Sequence, residues 1–412
     1  MINGVCYVGK SYMPALAQRL KKFNQHRLPD MVKLKYEAMT ENIFRFYRGT
    51  CHLFYENLSK AENIPASPVT WVCGDLHLEN YGSYKANNKL VYFDLNDFDE
   101  AVLAPALWEA LRLITSIFLA FDALDIEQDQ AFNMATLFLK TYSATLCTGK
   151  PLNIDPRTAK GIVCDFLNSA DKNNYKDILE KRTEKKKHKV VLSLHDERHV
   201  KIERPLKKAL MAHMERWIAK SNDSPYNYKV KDAVFRLAGT GSIGVKRYLF
   251  LLKSKIEKNN YIIIDMKQSF PSSLLPYTTA KQPQWTSESE RIVAVQQRMQ
   301  HMSSSMLSTT EFNGDSYVIQ ELQPVKDTIR FKLIRDRYRD IIQVIDDMAV
   351  LTASSQLRSG GMDGSAITDE LKAFGADKTW QESAINYALK AKEMVESDYK
   401  TFKEDYKKGV FN

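Results

Sequence analysis

The chain has 412 residues, 44% hydrophobic and 26% charged, which is ordinary for a globular protein with a large core. No run of eighteen apolar residues occurs, so we expect no membrane span. Residues 1–6 lack the features of a secretory signal, so we expect a cytoplasmic protein. Secretion as an effector stays open. Five scattered cysteines without a CxxC pair argue against a disulfide framework or a zinc site, and the net charge of +9 is spread along the chain, which gives no support for nucleic-acid binding.

The first part of the chain predicts helices around a short β segment. Two stretches carry apolar side chains at helical spacing, residues 11–60 and 105–150. Between them lie a predicted strand and a predicted hairpin, residues 69–73 and 81–93. The hairpin would return the chain to the end of the strand from which it left.

Residues 151–220 predict helix with polar interruptions. They include a dense basic cluster at 181–189, which we interpret as a solvated loop or helix face. The alternative is a docking patch for an anionic partner, although no aromatic residue lies within the cluster.

The pattern changes to strands after residue 228. We predict three strands with a glycine turn between the first two, residues 229–237, 245–252 and 261–267. A helix at 288–302 and a strand at 317–322 follow. From residue 335 the chain predicts helix again, broken at 360–361, so the fold class is α+β.

The acidic residues around the hairpin predict a catalytic or metal site. Asp75 leaves the first strand, Asn80 follows five residues later, and the hairpin delivers Asp94, Asp97 and Asp99 to the same end. Phosphoryl transfer needs a carboxylate near the attacking hydroxyl and oxygen ligands for Mg²⁺. An acidic cluster beside apolar strands is costly unless it is paired or bound to a metal. The alternative is that the aspartates after the hairpin only form a turn and cap the next helix.

The glycine turn predicts a phosphate-binding loop. Gly239, Gly241 and Gly244, with Ser242 among them, let backbone N–H groups approach phosphates closely. Lys267 ends an apolar strand that follows the turn, where it suits the phosphates of ATP. The alternatives are an ordinary hairpin turn and a strand-end lysine that reaches water. Together with the acidic motif, the turn predicts an ATP- and Mg²⁺-dependent phosphotransferase.

The residues after this lysine complete the predicted nucleotide site. A glutamate on the helix at 288–302 would hold Lys267, and of Glu288 and Glu290 we prefer Glu290. The strand at 317–322 would place Glu321 and Leu322 near the adenine.

The acidic motif resembles the aminoglycoside-phosphotransferase branch of the protein-kinase-like superfamily, in the segments Gly74-Asp75-Leu76-His77 to Asn80 and Asp97-Phe98-Asp99-Glu100-Ala101. The resemblance implies Asp75 as catalytic base and Asn80 and Asp97 as Mg²⁺ ligands. Asp94 is an alternative to Asp97 as the Mg²⁺ ligand, because the length of the hairpin favours it. Glu109 stands where the family has a later aspartate, and the spacing to Glu109 favours Asp97. We prefer Asp97. Cys73 stands where that family has a histidine.

In protein kinases the glycine loop and its lysine precede the catalytic loop, whereas here they follow it by more than a hundred residues. Circular permutation of a two-lobed, protein-kinase-like fold explains this order. We then expect a helical large lobe with the catalytic loop and metal-binding hairpin at 1–225, a small β-rich nucleotide-binding lobe at 226–325, and C-terminal helices returning to the large lobe at 326–412. The helix at 335–358 would lead towards the catalytic loop.

The whole layout resembles the bacterial family named domain of unknown function 2252. The matching segments are Phe46-Tyr47-Arg48-Gly49, residues 73–82, 93–101 and 239–244, Met266-Lys267-Gln268 and Gln297-Arg298-Met299-Gln300. The chain departs from the family at 351–355, where the family tends to have A-x-A-H-A. The family leaves the acceptor open.

Other functions remain as alternatives. The same cleft would serve a nucleotide-binding pseudokinase or interaction module, or a protein nucleotidyltransferase, and the acceptor would be a hydroxyl of a small molecule or a protein. A metallophosphoesterase ranks last because no G-N-H segment accompanies the G-D-x-H motif. Arg48 is either a phosphate or carboxylate partner or a structural link to the acidic loop.

Overall fold

The computed structural model describes residues 15–172, 175–322 and 328–411, and over these ranges the fold is mixed α+β. Residues 1–6, which carry the prediction about a secretory signal, and residues 11–14 of the first predicted helical stretch lie outside the described residues. Within those ranges, no helix is both long and apolar enough to cross a membrane.

Residues 15–172 form helices around two small antiparallel ribbons; the sequence predicts the helices, the strand at 69–73 and the hairpin, but not the strand that pairs with the first one. The helices are α1 (Leu16–Asn24), α2 (Pro29–Thr40), α3 (Ile43–Gly49), α4 (Cys51–Ser59), α5 (Ala106–Asp122), α6 (Gln128–Thr148) and α7 (Gly161–Lys172). The strands are β1 (Val69–Val72), β2 (Tyr81–Lys85), β3 (Val91–Leu95) and β4 (Val102–Pro105), where β1 pairs with β4 and β2 with β3.

The middle of the chain forms a six-stranded antiparallel sheet in the order β11-β12-β10-β9-β8-β7. Its strands are β7 (His199–Val200), β8 (Tyr228–Arg236), β9 (Arg247–Ser254), β10 (Tyr261–Gln268), β11 (Ser308–Phe312) and β12 (Asp315–Glu321). Accompanying helices are α8 (Tyr175–Arg182), α9 (Arg204–Lys220) and α10 (Glu288–Met299), and the chain ends with α11 (Tyr338–Arg358), α12 (Thr368–Ala376) and α13 (Trp380–Lys407).

The sequence predicts helix with polar interruptions over 151–220 and a solvated loop or helix face at the basic cluster, and it misses the strands that form there. There the chain forms the hairpin β5 (Thr183–Lys186) and β6 (Lys189–Leu192). Its two-residue turn holds Lys187 and His188 at φ of 46° and 63°, in the left-handed region that such turns require. Because neither residue is glycine, asparagine or aspartate, the sequence carries no turn signal at this point.

Two cores hold the fold together. The larger one surrounds α5, which is buried along almost its whole length and packs against α6 and α13. The smaller one lies between α9 and the sheet, where Met214 and Trp217 meet Phe250 and Ile264. Burial of each such side chain stabilises the fold by about 1.5–3 kcal/mol. The predicted division into three segments stays a prediction.

Helix α5 also carries two buried charged groups. Glu109 and Arg112 are both 0% exposed although their neighbours are apolar. Charges inside a core are costly without partners. Their partners lie in the loop after β1, so these two residues of α5 hold that loop in position.

Candidate functional site

A cleft of about 700 Å³ separates the acidic loops from the six-stranded sheet. Its lining includes the loop and hairpin residues Asn80, Asp97 and Asp99 on one side and the glycine turn with Lys267 on the other. The two motifs, which lie more than a hundred residues apart in sequence, therefore face one space.

Asp75 is anchored by the buried arginine of α5. Arg112 donates to Asp75 Oδ1 through Nε at 2.9 Å and also through Nη2. Burial raises the pKa of Asp75, and the neighbouring guanidinium opposes that rise. The carboxylate is thus held in one orientation by a cation that has no other carboxylate partner among the described residues.

The loop before Asp75 is fixed through its backbone. The Cys73 N–H donates to Glu109 Oε1 at 2.6 Å, and Gln356 of α11 donates to the other oxygen of that glutamate at 3.2 Å. Gly74 has φ of +86°, and a Cβ there would collide with the backbone oxygen of Glu100. Only glycine fits this close approach of the two acidic segments.

Asn80 closes the same loop. Its side-chain nitrogen donates to the backbone oxygen of Asp75 at 2.5 Å, and its own backbone oxygen accepts from the Asn96 N–H at 3.1 Å. These bonds orient the amide and leave its oxygen as the ligand that Asn80 can offer to a cation in the cleft.

Lys267 meets two carboxylates across the cleft. Its Nζ lies 3.7 Å from Asp97 Oδ1 and forms a closer ion pair with Asp99. Although burial works against it, the two aspartates raise the pKa of Lys267, which therefore stays charged. The lysine side chain is 14% exposed while Asp97 and Asp99 are 38% and 34% exposed, so both carboxylates reach the open cleft.

The glycine turn lies close to the loop that carries Asp75. A Cβ on Gly241 would be 3.9 Å from Asp75 Oδ2 and 3.4 Å from the backbone oxygen of Arg48. Arg27 donates to the backbone oxygens of Gly241 and Ile243 at 2.6 and 2.8 Å. These Cβ distances are ordinary van der Waals distances, so the turn packs against the Asp75 loop without a steric need for glycine at position 241.

Gly239 and Ser242 line the cleft, whereas Gly244 lies outside its lining. Gly239 has φ of +65°. Gly244 has φ of +90° and accepts from the Leu28 N–H at 2.9 Å. The turn is thus held from outside by the segment between α1 and α2.

Glu321 and Leu322 also line the cleft, at the end of β12. Their backbone N–H groups donate to Ser305 and Ile263 at 3.0 and 2.8 Å, which fixes this edge of the cleft. Their predicted position beside an adenine stays a prediction.

Two predicted site residues lie elsewhere. Asp94 is 1% exposed, accepts from the His301 N–H at 3.2 Å and pairs with Arg358 at 3.3 Å, so Asp97 is the candidate that reaches the cleft. The predicted contact of Glu290 with Lys267 is wrong. Glu290 Oε2 accepts from the N–H and hydroxyl of Thr286, both at 2.6 Å, because it caps the exposed start of α10.

Sequence reasoning missed two contributors, Arg112 and Asp265, and placed Asp99 in the acidic cluster without a contact to Lys267. Asp99 is the closer partner of Lys267, and Arg112 is the partner of Asp75. Asp265 of β10 pairs with Arg247 and, at 3.3 Å, with Arg236, and these arginines lower its pKa to about 2 against the effect of burial. A charged residue inside an otherwise apolar segment is the signal that marks both Arg112 and Asp265.

The donor set suits Mg²⁺ together with a phosphate ligand. Among the described residues, no three histidine, cysteine, aspartate or glutamate side chains cluster closely enough to hold a metal by themselves. Mg²⁺ commonly takes one or two carboxylates and completes its shell with substrate phosphates and water. Asp97, Asp99 and the Asn80 amide fit that mode, because all three line the cleft.

A model of uncharacterized proteins conserved in bacteria, DUF2252, matches residues 27–405. The chain belongs to this family. The match spans the acidic loops, the sheet with its glycine turn and most of the C-terminal helices, so the cleft lies within the DUF2252 region. Neither the search of curated proteins nor the search of solved structures finds a match.

Proposed function

We propose that this member of the DUF2252 family is an ATP- and Mg²⁺-dependent phosphotransferase that acts on a hydroxyl group. The observation that carries the proposal is the ion pairing of Lys267 with Asp97 and Asp99 beside a glycine turn that lies close to the loop of Asp75. Phosphoryl transfer requires a lysine for the phosphates, carboxylates for a metal and a base near the acceptor; here the first two line the cleft, and the base, Asp75, lines an adjoining cavity that shares Asp97 and Asp99 with it.

In the proposed reaction the acceptor oxygen bonds to the γ-phosphorus of ATP while the bond from that phosphorus to the ADP oxygen breaks. The hydroxyl proton passes to Asp75, which Arg112 orients. Lys267 and the N–H groups of the glycine turn hold the phosphates. Mg²⁺, held by Asn80, Asp97 and Asp99, would neutralise phosphate charge.

We also propose that the fold is a circularly permuted, protein-kinase-like one. The order β8, glycine turn, β9, lysine strand β10, helix α10 and strand β12 supports it. So does the loop after α11, which contacts the strand that would enter the catalytic loop: the Ala366 N–H donates to the Val69 backbone oxygen at 2.7 Å, and the Trp71 indole N–H donates to the Met362 backbone oxygen at 3.0 Å. The lysine pairs with aspartates here instead of a helix glutamate, which is a departure from that pattern.

The test is parallel incubation of the protein with α-labelled and γ-labelled ATP and a lysate, read by mass shift and label. Transfer of the γ-label alone is the expected result. Transfer of the α-label would establish nucleotidyl transfer in its place. Tight Mg·ATP binding with no transfer of either label would identify a pseudokinase or interaction module.

A further inference from the structure

A second, smaller cavity of about 60 Å³ lies on the far side of the glycine turn from most of the cleft. Arg48, Asp97, Asp99 and Ser242 line both spaces, whereas Asp75 lines only the smaller one. We call this cavity the inner chamber. An acceptor must reach Asp75 from this chamber, because that is the space onto which the carboxylate borders.

The inner chamber is walled by the N-terminal helices. Phe23 and Arg27 come from the end of α1 and the turn after it, and Lys35 comes from α2. Hydrogen bonds from Arg27 and Leu28 connect these helices to the glycine turn, which forms another side of the chamber. Since a water molecule needs about 10–15 Å³ of such space, the chamber holds only a few waters or one small group.

Two cations on this wall have no carboxylate partner. Lys35 is 0% exposed, and its Nζ donates to the Asn24 amide oxygen at 2.9 Å and lies 5.2 Å from the centre of the Phe23 ring. Arg27 is bonded to backbone oxygens. Within the described ranges, neither forms an ion pair, whereas every aspartate of the chamber does.

A buried ammonium without a counter-ion is costly, and a ligand of opposite charge removes that cost. Burial lowers the pKa of Lys35 well below its usual value, and Arg27 lowers it further. Asp75 and Glu100 oppose this effect but remain outside ion-pair distance of the ammonium. Among the described residues the chamber thus borders two cations without an ion pair, Lys35 and Arg27, and one carboxylate in the same situation, Glu100, which accepts from the Ser273 N–H.

We propose that the inner chamber binds the acceptor of the phosphoryl transfer, and that this acceptor is a small hydroxylated anion. Its phosphate or carboxylate group lies against Lys35 and Arg27, and its hydroxyl meets Asp75. This inference rests on the proposed function and narrows its acceptor. The small volume of the chamber favours a small molecule over a protein segment as the acceptor.

The first test is calorimetric titration of the full chain with inorganic phosphate, in the presence of saturating Mg·ADP to occupy the cleft. Lys35→Met should bind phosphate at least tenfold more weakly than the wild type. The control is Lys33→Met, an exposed lysine on the same helix, which should bind within twofold of the wild type. Equal phosphate affinity in all three proteins, or no saturable binding to any, would overturn the anion site.

The second test needs no variant. In the labelling experiment with lysate, γ-label should appear in small acidic molecules, and glycerol 3-phosphate or glycerate should accept label where glycerol does not. Transfer of γ-label to protein, or equal use of glycerol, would overturn the acceptor class while leaving the phosphotransferase intact. Lys35-dependent phosphate binding without any Mg·ATP binding would retain the anion site and reject the phosphotransferase.

Discussion

Replacement of Lys267 by methionine tests the central contact of the cleft. The substitution keeps the length of the side chain and removes the charge that faces Asp97 and Asp99. At 3.7 Å and an effective dielectric constant of about 20, one such pair attracts by about 4.5 kcal/mol. Both aspartates are about a third exposed, and solvent screening reduces the net contribution of each pair to about 1 kcal/mol.

The two pairs together predict that Lys267→Met lowers the free energy of unfolding by about 2 kcal/mol at pH 7. The difference in unfolding free energy between the wild type and Lys267→Met should become smaller as the pH falls. Burial raises the pKa of Asp99, and protonation of Asp99 removes one of the two negative charges that Lys267 balances. Urea unfolding at pH 7.5 and 5 measures both effects. A larger difference at the lower pH would contradict the electrostatic account.

The same variant tests nucleotide binding. Loss of a cation that contacts phosphates should weaken Mg·ATP binding by about 10–100-fold, which corresponds to roughly 1.4–2.8 kcal/mol. Lys246→Met is the matched control, since Lys246 pairs with Asp315 at 2.7 Å outside the cleft lining. Calorimetry that gives Lys267→Met the affinity of the control would refute the assignment of this lysine to the phosphates.

Three further substitutions separate catalysis, metal binding and stability. Asp75→Asn should abolish transfer but retain Mg·ATP binding. The free energy of unfolding should fall by about 1–3 kcal/mol, because Arg112 loses its counter-charge. Turnover at the wild-type rate would reject Asp75 as the catalytic base. Asp97→Ala should weaken Mg²⁺-dependent nucleotide binding at least tenfold by calorimetry, and unchanged affinity would reject the metal ligand. His52 stacks on Phe23 with no hydrogen-bond partner for either ring nitrogen among the described residues, so His52→Phe should stabilise the fold by about 1 kcal/mol at pH 7. Burial lowers the pKa of His52, so the wild type loses stability as the pH falls below about 6.5, by up to about 1.4 kcal/mol per pH unit, and equal slopes in both proteins would contradict this cause.

Several parts of the site follow from local sequence alone. The interval of five residues between Asp75 and Asn80 places both in one loop after a strand, and the structure has them bonded within that loop. The glycine turn at 239–244 and the strand that ends near Lys267 also form as predicted. Turns, short strands and apolar helices are local features, so neighbouring residues suffice to specify them.

The partners of these residues could not be read in the same way. Asp94, Asp97 and Asp99 lie within six positions of one another, and only the end of the hairpin decides that the last two meet Lys267 while the first turns to Arg358. A loop has no periodicity from which side-chain direction can be predicted, so the spacing left Asp94 and Asp97 both open.

By itself the sequence determined most of the helices, the longer strands, the two motifs and the family, because periodic burial and glycine conformations are properties of short segments. The tertiary structure alone decided that Arg112 anchors Asp75 and that Lys35, which forms no ion pair with any described residue, borders the chamber beside it. Arg112 and Lys35 lie on helices α5 and α2, whose other residues mostly follow ordinary helical patterns. Their roles arise from the packing of distant segments against one another, and a charge has no partner until that packing brings one within reach.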